Sequence, residues 1–241
     1  LALLQGLARE QGKVLNIKLV APTGKAAARL TESISAAKLK LPPALQANLP
    51  EQCQTIHRLL GARPQSPYFK ADANHPLHLD VLVLDEASMV DLPLMAKLFA
   101  ALPVNAQVVL LGDQDQLASV ETGSVLSDIC AASFHGDNQD DSLAAYSETM
   151  QRQLAKLITV PQGLSSETAN ADNKQQSVIR DNVVKLVKSH RFKDSSGIGQ
   201  LAKHIKAGQV AQCFKLLNDD QFSDINWYQP TQATPQTVAN E

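Results

Sequence analysis

Val81-Leu82-Val83-Leu84-Asp85-Glu86 is the stretch on which the fold turns. Four apolar residues in succession, all Val or Leu, are too few for a helix and do not alternate as a half-exposed strand would. They suit a strand buried on both faces, as in a parallel sheet covered by helices. The abrupt change to Asp85-Glu86 places two carboxylates at the strand's carboxyl tip, where open α/β sheets gather their ligands. Alone, the same pattern also describes a buried strand that ends in solvated acids, because short motifs arise often by chance.

Two further apolar runs, Ile17–Ala21 and Val108–Leu111, have the same character, and helical patterns separate the three. After the first comes Lys25–Ala37, alanine-rich, with Leu30 and Ile34 four residues apart. After the second comes Leu92–Leu102, with Leu94, Leu98 and Leu102 on one face and Asp91 placed as its N-cap. Strand–helix alternation predicts an α/β sheet with right-handed crossovers. Its strands end in Pro22-Thr23-Gly24, Asp85-Glu86 and Gly112-Asp113-Gln114-Asp115-Gln116. The last is a sharp glycine turn whose amides can approach a phosphate; an ordinary Gly-Asp turn looks the same. Two polar strand ends in consecutive units would bring Asp85, Glu86 and Gln116 into one crevice.

Ala21-Pro22-Thr23-Gly24-Lys25-Ala26 imitates the end of a Walker A loop but is not one. Leu19 stands where that motif needs its first glycine, and Ala26 cannot ligand Mg²⁺ as the motif's Ser or Thr does. A strand–turn–helix with Thr23 and helix amides exposed can instead take a backbone phosphate of nucleic acid. By spacing alone it is a tight βα turn.

Residues 134–177 are dominated by Asp, Asn, Gln, Ser and Thr, with one helical pattern at Leu143–Ile158. They are expected to form an insertion or linker between a first domain, 1–133, and the start of a second, 178–241. Order is expected to return at Val178–Val187, followed by helices at Ile198–Ala207 and Val210–Leu217 and a frayed tail from Thr231.

The chain has 241 residues, 44% hydrophobic and 19% charged, which describes a globular protein rather than a disordered one. No apolar run reaches the roughly 20 residues of a membrane-spanning helix. Cys53, Cys130 and Cys213 lie far apart with no CxxC pair. That speaks against a zinc site or a disulfide framework and fits a reducing cytoplasm. The net charge of −2 excludes a protein that coats nucleic acid by bulk charge, so any binding must come from local contacts. With 4% aromatic residues, backbone contacts would outweigh base stacking.

Taken in order, Ala21–Ala27, Thr55-Ile56-His57-Arg58-Leu59-Leu60-Gly61, Asp85-Glu86-Ala87-Ser88-Met89 and Gly112–Val120 resemble motifs Ia, Ic, II and III of superfamily 1B helicases. Ser189-His190-Arg191-Phe192 with Ser196-Gly197-Ile198-Gly199 resembles motif IV. Within the superfamily the likeness is greatest to the alpha subunits of exodeoxyribonuclease V. The resemblance implies a RecA-like P-loop NTPase sheet flanked by helices, plus the start of a second RecA-like domain. It implies ATP and Mg²⁺ as cofactors, single-stranded DNA as track, 5′-to-3′ movement, and the RecB and RecC subunits as partners.

By the same resemblance, Asp85 binds Mg²⁺, Glu86 activates water, and Gln116 senses the γ-phosphate. Arg191 is an arginine finger, and Pro22, Thr23, Thr55 and His57 line the strand path. His57, a lone histidine beside Leu59 and Leu60, has packing as its ordinary role. The family's phosphate loop is expected before Leu1 and its motifs V and VI beyond Glu241, so these residues are expected to be an inactive fragment. A free-standing superfamily 1B helicase, a relaxase–helicase and a non-catalytic scaffold of the same fold are the alternatives.

Overall fold

The computed structural model describes residues 1–113, 116, 125–133, 146–157, 179–184, 186, 195–219, 221–225 and 227. These fall into two compact units, Leu1–Val183 and Val184–Glu241.

In the first unit the three expected strands are present as β1 (Ile17–Ala21), β3 (Val81–Leu84) and β4 (Gln107–Leu110). The last begins and ends one residue earlier than its apolar run. A fourth, β2 (Cys53–Thr55), was not expected: it has three residues and no apolar run. The order is β2-β1-β3-β4, and every pairing is parallel. Register is level, with Ala21 opposite Thr55, Val20 opposite Leu84, and Leu84 opposite Leu110. All four strands therefore end along one edge.

Both faces of the sheet are covered, which is why β3 reads as unbroken Val and Leu. Ile17, Leu19, Val81 and Val83 pack against Leu30 and Ile34 of α2 (Gly24–Lys38). Val20, Leu82 and Leu84 pack on the other face against Ile56 and Leu60 of α4 (Ile56–Leu60). That face also meets Met95 and Leu98 of α5 (Leu92–Ala100) and Leu126 of α6 (Val125–Ser133). Full burial of each such side chain contributes about 1.5–3 kcal/mol relative to leaving it in water. Asp91 caps α5 as its position suggested, its Oδ1 accepting from Leu94 N at 2.6 Å. The helix stops at Ala100, not Leu102, because Pro103 disfavours helical geometry in the residue before it.

α1 (Ala2–Glu10) buries Gln5 and Ala8, and Gln5 supplies its side-chain hydrogen bonds to the rest of the unit. Gln5 is 1% exposed; its Nε2 donates to the carbonyls of Leu15 (2.8 Å) and Asn48 (2.7 Å). Its Oε1 accepts from Leu15 N at 3.0 Å, so one amide ties the helix to the approach of β1 and to the loop after α3 (Pro43–Gln46). Of the expected helix at Leu143–Ile158, α7 (Glu148–Leu157) is present. Residues 134–145 and 158–177 lie outside the described residues.

The second unit contains a helical pair, α8 (Gly197–Lys206) and α9 (Val210–Leu217), close to the ranges read from sequence. Ser196 caps α8, and the Asp224 carboxylate accepts from Gly197 N and Ile198 N at 3.0 and 3.1 Å. Those amide bonds hold the Asp224 carboxyl below its ordinary pKa. Gly208, at φ +65, makes the left-handed turn into α9.

Candidate active site

The site is the carboxyl edge of the sheet. There Asp85 N donates to Val20 O (2.9 Å), Leu111 N to Leu84 O (2.8 Å) and Ala87 N to Leu111 O (2.8 Å). The residues after β3 and β4 thus extend the ladder onto β1 and β3, and the turns after β3 and β4 are stitched to each other. Asp85 continues the alternation of Val81 and Val83, on the α2 face, and its Oδ1 accepts from Glu86 N at 3.0 Å. Glu86 then turns into the left-handed region, at φ 52 and ψ 41. A non-glycine residue there is uncommon and costs free energy unless its surroundings enforce it, and such residues concentrate at functional sites.

Both carboxylates are half-buried, and no described lysine, arginine or histidine forms an ion pair with either. Two adjacent, partly desolvated carboxylates with no ion-pair partner among the described residues fit a divalent cation. Magnesium in nucleotide sites takes one or two carboxylates and fills its shell with water and phosphate. No cluster of three or more His, Cys, Asp or Glu suited to a metal occurs among the described residues, so this is not a cage built of protein alone. Cys53, on the same face, has its thiol pushed up to about 11, first by burial and then by the charge of Asp85.

Gly112 presses on the turn that follows Glu86. A Cβ at that position would lie 3.1 Å from Ser88 N, 3.2 Å from Ala87 N and 2.6 Å from Leu126 Cδ2. Only a residue without a side chain allows this approach. Gln116 follows on the same turn, exposed, its amide donating to Asp113 O at 3.3 Å. Sequence reasoning missed Ser88, which is 2% exposed and whose hydroxyl has no hydrogen-bond partner.

On the other side of Asp85, Thr23 and Thr55 play matching parts. Thr23 Oγ1 accepts from Ala26 N and caps α2, and Thr55 Oγ1 accepts from Arg58 N and caps α4, each at 3.2 Å. Both hydroxyl hydrogens are left to donate. Pro22 is half-buried and Thr23 exposed. His57 is exposed rather than packed beneath its leucines. Its ring meets the edge of Phe69 at 5.8 Å, and Lys97 Nζ lies 5.4 Å from the Phe69 ring centre. The chain from Gly61 to Lys70 folds back to make this contact, through an Ala62–Phe69 antiparallel bridge. Arg191 lies outside the described residues.

Against known proteins, the family described as "AAA domain" matches residues 2–122, about half of the chain. The chain belongs to this family. Pro22, Thr23, Thr55, His57, Asp85, Glu86 and Gln116 all fall within the AAA domain, and Arg191 falls outside it. The parallel sheet with helices on both faces gives that AAA domain a RecA-like α/β fold. The chain is 40% identical over 210 residues to "RecBCD enzyme subunit RecD" of Haemophilus influenzae, covering 85% of this chain and 30% of that protein. It is 45% identical to the protein of the same name from Mycobacterium tuberculosis, over 56% of this chain and 23% of the relative. With "ATP-dependent RecD2 DNA helicase" of Deinococcus radiodurans it shares 40% identity over 45% of this chain and 13% of the relative. The chain thus spans less than a third of the length of these relatives. The crystal structure of Bacteroides Pif1 bound to ssDNA gives a TM-score of 0.37 at 19% identity, over 93% of this chain and 45% of that one. No described helix is long and apolar enough to cross a membrane.

Proposed function

We propose that this chain is part of an ATP-dependent 5′-to-3′ DNA helicase that works as the RecD-type subunit of an exodeoxyribonuclease V complex, in DNA repair and recombination. The observation that carries this reading is the Asp85–Glu86 pair. It is half-buried, has no ion-pair partner among the described residues, and stands at a strand tip stitched to the turn that leads to Gln116. The RecD relatives favour it over a free-standing helicase, a relaxase–helicase or a scaffold.

ATP, bound with Mg²⁺, supplies a transferable terminal phosphoryl group. In this reading Asp85 holds the cation, and Glu86 orients the attacking water and takes its proton. Gln116 senses the terminal phosphate from the neighbouring strand end. Arg191 serves as an arginine finger, contributing roughly 10³–10⁵ in rate where such residues act. Pro22, Thr23, Thr55 and His57 face single-stranded DNA, the two threonine hydroxyls donating to phosphate oxygens while their caps stay intact. RecB and RecC are the partner subunits, and the cytoplasm is the location. Residues 1–133 form the first motor domain, 134–177 an insertion or linker, and 178–241 the beginning of the second.

No Gly-x-x-x-x-Gly-Lys-Ser/Thr sequence occurs in these 241 residues, so by themselves they neither hydrolyse ATP nor unwind DNA. The complete gene product, with its co-purifying subunits, tests the reading on duplexes carrying a single-stranded tail. Unwinding that needs ATP and a 5′ tail supports it. ATP-independent strand separation, or a requirement for a 3′ tail, contradicts it.

A further inference from the structure

From Ala62 to Lys70 every residue is exposed except Phe69. Its half-buried ring packs at the margin of the larger hydrophobic core and meets the His57 imidazole, with centroids 5.8 Å apart and planes at 62°. Lys97, on α5, brings its ammonium to 5.4 Å from the centre of the same ring and donates to Pro67 O at 3.2 Å. The loop is closed at its base, where Lys70 N and Ala71 N both donate to Leu60 O at 3.0 Å. Phe69 is thus fixed from two elements, α4 and α5, and His57 leans on it.

An exposed histidine ordinarily exchanges among rotamers, and fixing its ring on binding costs affinity. Here an aromatic contact restricts the ring beforehand. Neither ring nitrogen makes a hydrogen bond to any described residue, so both keep that capacity for a ligand. The stretch from Thr55 to Ala71 carries Arg58, Arg63 and Lys70 and no acidic residue, a charge that suits a phosphate.

We infer that Phe69 is a positioning residue for the single strand: it holds the His57 imidazole where a ring nitrogen meets a backbone phosphate, and Lys97 holds Phe69. This role rests on the strand-path reading of His57 proposed above.

The test measures the affinity of the complete gene product for a labelled oligo-dT strand, without nucleotide, by fluorescence anisotropy. His57→Ala should weaken binding about tenfold, the scale of one hydrogen bond to a charged group. Phe69→Leu, which keeps apolar bulk but loses the ring, should weaken it about threefold, and Phe69→Tyr should restore wild-type binding. The double variant, His57→Ala with Phe69→Leu, should bind as His57→Ala alone does, because a residue that acts through another adds nothing once that other is gone. A merely loosened loop would weaken binding in both backgrounds alike. Should the leucine variant not fold, Lys97→Met allows the same comparison. Its lost charge acts in both backgrounds, its hold on Phe69 only where His57 is present. Wild-type binding by Phe69→Leu while His57→Ala is weakened overturns the inference. So do losses that multiply in the double variant, or an equal loss from Lys97→Met in both backgrounds. If His57→Ala itself binds as wild type does, the strand-path reading of His57 fails, and the role of Phe69 with it.

Discussion

Gly112 lies so close to Ser88 that a single added carbon would stand 3.1 Å from the Ser88 nitrogen. The end of β4 and the turn after β3 are therefore one packed unit. Gly112→Ala forces the turns apart or displaces Leu126, and we expect a loss of about 1–3 kcal/mol, the range for overpacking. Urea unfolding checks this. A stability within 0.5 kcal/mol of wild type, on the scale of a neutral surface change, would show that the turns move freely.

Gln5→Leu keeps an apolar volume but strands Leu15 N, Leu15 O and Asn48 O, all now satisfied by one amide. Each unsatisfied group costs roughly 1–3 kcal/mol where water cannot reach it. A loss of more than about 2 kcal/mol in chemical unfolding is expected, and faster amide exchange at Leu15. An unchanged midpoint would mean that α1 is not held in this way.

The three expected strands were legible because each carries a short apolar run, buried in β1 and β3 and half-buried in β4. β2 was not: Cys53, Gln54 and Thr55 sit half-exposed at the edge of the sheet, where no apolar run is required. It is held partly by a side chain, Cys53 N donating to Thr31 Oγ1 at 3.0 Å, a bond between elements that periodicity does not reveal. In the site, Asp85 and Glu86 could be read from their place after the run. The left-handed backbone of Glu86 could not, since only a glycine or asparagine would have signalled it. Nor could the burial of Ser88, a residue type that is mostly exposed. The ordinary role considered for His57, packing, gave way to an exposed ring against Phe69, brought near by a loop that has no periodicity of its own.

Cys53 makes stability depend on pH at the alkaline end. Its native thiol is raised to about 11 from 9.0, so above pH 9 the unfolded chain loses this proton while the native state keeps it. The unfolded state then binds fewer protons, and stability declines as pH rises from 9 towards 11. Cys53→Ser should flatten that part of the profile in urea titrations at several pH values. An unchanged slope would remove Cys53 as its cause. Asp85→Asn should lower the thiol's pKa, measured by its ultraviolet absorbance, because one of the two raising influences is gone.

Thr23 combines a cap with a proposed contact, and two substitutions separate them. Thr23→Ala should cost about 1 kcal/mol through the lost cap and also weaken binding to single-stranded DNA. Thr23→Asn keeps a good cap, so stability should be retained while DNA affinity falls with its salt dependence unchanged. Equal DNA affinity in wild type and both variants, measured by fluorescence anisotropy in the complete gene product, would remove Thr23 from the strand path.

The division of labour between Asp85 and Glu86 is tested most directly by comparing Asp85→Asn with Glu86→Gln in the complete gene product. Nucleotide affinity is measured with and without Mg²⁺, alongside phosphate release. Glu86→Gln should keep Mg²⁺-dependent ATP binding and lose roughly 10²–10⁴-fold in kcat, the range for a removed general base. Asp85→Asn should lose the dependence of ATP affinity on Mg²⁺. If both variants release phosphate within threefold of wild type and bind ATP with the same response to Mg²⁺, the carboxylates at the tip of β3 are not the catalytic centre.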